Sequence, residues 1–129
     1  MIPHPIRLRQ PWDEVPAKRE GWKSFRRAFN RPTGLETHET VCVEIDRAVY
    51  CGEVSLNGVS LGNLETGDLF AAEITALLAP ANELLVEVDP ATALTGPIPS
   101  ASIYVVDPNE PPSSPIGEVR LVIRSVGNV

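Results

Sequence analysis

Paired carboxylates are the first residues in this chain whose type and spacing suit a reaction. Glycosidic hydrolysis uses two carboxyl groups roughly 5–10 Å apart, one of them held protonated. Glu44 and Asp46 stand two apart on one face of a strand, and Asp13/Glu14 and Asp107/Glu110 are the other pairs. With 17 acidic residues in 129 such pairs arise by chance, and solvated surface charge accounts for each. A catalytic or metal-bound imidazole needs a partner at fixed geometry, and His4 and His38 lie in separate segments without a recognisable one. Cys42 and Cys51, eight residues apart with no neighbouring His or third Cys, do not make a zinc site. No glycine-rich phosphate loop or nucleophile elbow occurs. The expectation is a chain that is not an enzyme and takes no cofactor or metal.

Binding is the remaining chemistry. Sugars stack their apolar C–H faces on aromatic rings, while planar polar side chains bond their hydroxyls. Aromatics make up only 5% of the chain. Trp12, in a loop bounded by Pro11 and Pro16, and Tyr104, beside the loosest loop, are the best stacking candidates. Trp22 joins them as a ligand-binding candidate, with Arg26 and Asp107 as polar partners. Core or lid packing is the competing role for both tryptophans.

Those residues must be positioned by short strands. Asn57-Gly58 stands between Val54/Leu56 and Val59/Leu61, a signature of a type I′ hairpin, because both residues tolerate positive φ. Val41, Val43 and Ile45 alternate inward within 40–45, and Val119, Leu121 and Ile123 within 118–124. Strands are also expected over 6–9, 22–29 (Phe25, Arg27 and Phe29 on one face), 84–88 and 102–106. Residues 12–15 read as a loop, and 74–78 as one helical turn stopped by Pro80. Leu85 and Val122 are apolar at outward positions, which would suit a protein-interaction or assembly face, including a homo-oligomer. Thirteen prolines and nine glycines disfavour a helical bundle. The expected fold is all-β: an antiparallel β-sandwich, a jelly roll, as a single domain over 1–129. An N-terminal arm with loops occupies 1–21, and a proline-rich loop region 89–115.

In order, several of these runs resemble the sugar-binding domain of family 2 glycoside hydrolases, a galactose-binding-like jelly roll. The resemblance rests on Phe25-Arg26-Arg27-Ala28-Phe29, the hairpin Val54 to Gly62, and Phe70-Ala71-Ala72-Glu73-Ile74-Thr75-Ala76-Leu77-Leu78. Asn82 to Val88 extends it, with a weaker echo over Pro115 to Leu121. Glu73 stands where the family has Asp, and Thr66 to Phe70 lacks the family's Tyr. The resemblance implies a stand-alone, non-catalytic module, because the family's catalytic carboxylates lie on a separate barrel domain. It implies carbohydrate as a candidate ligand, or a role as an accessory subunit of a separately encoded hydrolase.

Charge divides the chain. Through Arg31, eight Lys/Arg against three acids give +5; the remaining three basic and fourteen acidic residues give −11. The basic segment is expected to pack along the acidic body, and the net charge of −6 argues against a nucleic-acid partner. No signal peptide or membrane span is visible, so a cytoplasmic protein with no membrane partner is expected, its two cysteines free. A cross-strand disulfide stays geometrically open if the cysteine-bearing strands pair.

Overall fold

The Asn57-Gly58 turn forms as its sequence dictates: both residues take positive φ, 51° and 82°. The computed structural model describes residues 4–9, 11–94 and 114–125. Around the turn, β5 (Cys51–Leu56) and β6 (Val59–Leu64) pair antiparallel. The Asn57 side chain also ties the hairpin to its surroundings. Its Nδ2 donates to Leu77 O (3.1 Å) and Asn82 Oδ1 (3.0 Å), and its Oδ1 accepts from Glu83 N (2.8 Å). Asn57→Ala removes three hydrogen bonds and places alanine at positive φ; the expected cost is about 2 kcal/mol. Chemical denaturation measures it, and an unchanged midpoint would show that the turn does not need this side chain.

Two antiparallel sheets stack into a β-sandwich. One has the order β1 (His4–Arg7), β9 (Glu118–Ser125), β4 (Glu39–Asp46), β7 (Phe70–Glu73). The other runs β2 (Asp13–Val15), β3 (Lys23–Asn30), β8 (Ala81–Asp89), β5, β6. The chain passes repeatedly from one sheet to the other, as in a jelly roll. Alternation in β4, β8 and β9 puts Val41, Val43, Ile45, Leu84, Val86, Val88, Val119 and Leu121 between the sheets, all essentially sealed from solvent. The helical turn expected near Pro80 is a 3₁₀ turn, Thr75–Leu77. Thr75 Oγ1 accepts from Val41 N (2.9 Å), docking that turn on β4.

Two expectations are corrected. Residues 13–15 are strand β2, not loop: Asp13, Glu14 and Val15 pair with Arg26, Phe25 and Ser24. The cysteines are free, as expected, and do not share a pair of strands. Cys42 is on β4 in one sheet and Cys51 on β5 in the other, and both are free thiols. Burial pushes the Cys42 thiol up, outweighing the nearby Arg124, so it is no poised nucleophile. The second correction concerns Glu44 and Asp46, read as solvated surface charge and in fact buried.

These two carboxylates lie on the outer face of the four-stranded sheet, Asp46 accepting from Arg47 N at 3.0 Å and Glu44 within a buried ionic layer. Glu44 is 3.6 Å from Arg120 and accepts from Arg124 at 3.3 Å. Glu118 accepts two hydrogen bonds from Arg7 (2.7 and 2.8 Å) and lies 3.8 Å from Arg120 and 4.0 Å from Arg47. Cross-strand register sets the pattern: Arg120 is opposite Glu44 on β4, and Glu118 contacts both Arg120 and Arg7, which face each other across β9 and β1. The expected strand at 102–106 lies outside the described residues.

Candidate functional site

The outer face of the five-stranded sheet carries a trough of about 430 Å³, within the size range of small-ligand sites. Its floor follows from register. Asp13, Arg26, Leu85, Ser55 and Ser60 form one row across the five strands. The adjacent row is Val15, Ser24, Glu87, Glu53 and Asn63. Glu83, two residues from Leu85 on β8, continues the same face.

This arrangement places Glu53 and Glu87 directly opposite each other. Like charges in that position are destabilising, and the segment connecting β2 to β3 relieves them. It crosses the sheet as a strap. Lys18 donates its backbone N–H to Glu87 (3.3 Å), and the Arg19 guanidinium pairs with Glu53. Arg19 also lies over the Trp22 ring, 4.3 Å from its centroid. Gly21, at φ 81°, turns the strap back into β3. On the other flank Arg26 lies 3.6 Å from Asp13 and 3.8 Å from Glu83. Ser24, only 1% exposed, has a hydroxyl with no hydrogen-bond partner. Among the described residues no three His, Cys, Asp or Glu side chains gather to hold a metal ion, and no helix is long and apolar enough to cross a membrane.

The sequence-derived candidates fall at different places. Neither Trp22 nor Arg26 lines the trough: Trp22, at the end of the strap, lies under the Arg19 guanidinium, and Arg26 is 3.8 Å from Glu83, and Arg19 and Glu83 are lining residues. Trp12 is 8% exposed, in the core, and donates its Nε1–H to Leu8 O at 2.9 Å. Its ring presents no open face. Tyr104 and Asp107 lie outside the described residues. Val122, expected outward, is fully covered, and Leu85 is half-buried in the trough floor. Sequence reading did not single out Glu53, Glu83, Glu87, Ser55 or Ser60 as site residues. Alternation assigns each to an outer face, but only register brings them together.

A second groove, about 520 Å³, opens beside Ile6, Leu8, Phe29, Pro32 and Leu121. The trough offers the richer set of paired hydrogen-bonding groups, and so is the better place for a polar ligand.

No family model and no curated protein sequence matches the chain. Solved structures do. The chain is similar to part of an FMN-binding beta-glucuronidase from Facaelibacterium prausnitzii L2-6, with 23% identity and TM-score 0.61 over 94% of this chain and 22% of that one. It is similar to a beta-D-glucuronidase from Dictyoglomus thermophilum, with 14% identity and TM-score 0.64 over 96% of this chain and 28% of the enzyme. A beta-glycosidase from Bacteroides vulgatus matches with 26% identity and TM-score 0.55 over 81% of this chain and 12% of its own. The chain thus spans a quarter or less of most of these enzymes, and the likeness is one of an all-β unit within them.

Proposed function

We propose that the chain is a non-catalytic β-sandwich module that binds carbohydrate at the trough, of the kind that serves as the sugar-binding domain of family 2 glycoside hydrolases. The observation that carries this reading is the overlay of nearly the whole chain on a small share of the beta-glucuronidase from F. prausnitzii. The ordered motif series from Phe25 to Val88 supports the same family independently.

Trough chemistry fits binding better than hydrolysis. Carboxylates and guanidinium groups offer the paired acceptors and donors that vicinal hydroxyls use. A glycosidase needs one carboxyl group in apolar surroundings to act as the acid. Glu53 and Glu83 are about half exposed instead, and each has a guanidinium beside it. A glycan array followed by calorimetric titration tests the reading. The expected result is saturable binding of at least one oligosaccharide without release of free sugar. Absence of binding to every glycan would discard the carbohydrate role, and turnover would discard the non-catalytic one.

A further inference from the structure

We infer that the trough selects an uncharged oligosaccharide and rejects uronic acids, an inference that rests on the carbohydrate-binding reading above.

Charge carries the argument. Three carboxylates, Glu53, Glu83 and Glu87, line the trough against two cations, Lys18 and Arg19. Arg19 is held by Glu53 and by the Trp22 ring. Arg26 lies between Asp13 and Glu83. An incoming carboxylate would meet three acids against two cations in the trough, and the field of a chain with net charge −6. Hydroxyl groups meet no such barrier, since each donates to a carboxylate and accepts from a guanidinium.

Shape agrees with charge. Leu85 supplies an apolar spot at the centre of the floor, with Ser55 beside it on β5 and Ser60 next on β6. A pyranose C–H face resting on Leu85 would have its hydroxyls directed at Glu83 and Glu87 on either side along β8. A carboxylate at the sugar's C6 would be brought close to one of these acids. Like-charge juxtaposition of this kind acts as a specificity device. The inference runs opposite to the word glucuronidase in the names of the similar enzymes, whose chains extend far beyond this unit.

The test is binding of neutral and uronate-containing oligosaccharides on one array, with titration of the strongest binders at low and physiological salt. Neutral glycans should bind, and their uronate counterparts should bind at least about tenfold more weakly, with the gap widening at low salt. Ser60→Trp, at an exposed position on the trough's rim, should weaken binding about tenfold or more without lowering the melting temperature. Leu85→Arg, checked for folding by circular dichroism, should abolish neutral binding and narrow the gap to uronates. Preference for uronates in the unmodified chain would overturn the selectivity. Neutral binding untouched by both folded variants would place the site elsewhere. Failure to bind any glycan would overturn the carbohydrate reading itself.

Discussion

Glu118→Ala should be the most destabilising change to a charged side chain in this protein. Glu118 has no exposed surface, accepts two short hydrogen bonds from Arg7 and lies within 4.0 Å of Arg47 and Arg120. Removing the carboxylate leaves three neighbouring guanidinium groups without it. Breaking one side of a buried ionic network in this way typically costs about 3–5 kcal/mol. Against a total stability of about 5–15 kcal/mol that is a large share. The melting temperature should fall by roughly 10–20 °C. Arg26→Ala provides the contrast, because Arg26 and its partners Asp13 and Glu83 are 43–63% exposed. Exposed pairs contribute about 0–1 kcal/mol, and less at high salt. Thermal and urea unfolding of both variants decides the matter. A Glu118→Ala melt within a degree or two of the original would mean that solvent reaches the layer.

The same layer marks where sequence reading stops. In β4 and β9 the alternation of Val41, Val43, Ile45 and Val119, Leu121, Ile123 with charged residues gives the strands and their inner faces correctly. It also makes the other face look solvated. Period-two alternation records only which residues share a face. Whether a polar face is covered depends on what packs over it and on cross-strand partners. Glu44 and Arg7 reach Arg120 and Glu118 from the neighbouring strands, so the layer needs cross-strand register in addition to the Glu118–Arg120 spacing along β9.

Local chemistry was legible where local energetics dominate. Asn57-Gly58 specified its turn because few residues take positive φ cheaply. The 3₁₀ turn at Thr75–Leu77 was visible from the apolar run before Pro80. β2 was not visible. Three residues between two prolines have almost no intrinsic strand signal, and Asp13–Val15 becomes a strand only because β3 offers an edge. Trp12 illustrates the same limit in the site. Proline-bounded loops usually display their side chains, but here the indole N–H finds Leu8 O and the ring joins the core. Trp22 meets the Arg19 guanidinium above its ring, a contact no spacing rule contains.

Trough and fold meet at Gly52, where the second large effect is expected. Gly52 sits in β5 opposite Val88 of β8, and it is buried. A methyl group there would stand 2.1 Å from Glu87 O and 3.0 Å from Glu87 C and Val88 Cα. All three atoms are backbone, so no side chain can rotate away, and β5 and β8 must separate. Overpacking in a rigid site costs about 1–3 kcal/mol and sometimes more; with backbone on the other side, Gly52→Ala belongs at or above the top of that range. Gly34→Ala is the control, with positive φ of 75° and open space around it. It should cost only the conformational strain, about 1 kcal/mol. Gly52→Ala has a further consequence that Gly34→Ala lacks. Separating β5 from β8 moves Glu53 away from Glu87 and Ser55 away from Leu85, which dismantles the trough floor. Glycan binding should therefore be lost well below the temperature at which the variant unfolds, and amide exchange should accelerate along β5 and β8 before it does along β4 and β9. Retained binding in a folded Gly52→Ala chain would show that the ligand does not rest on these two strands.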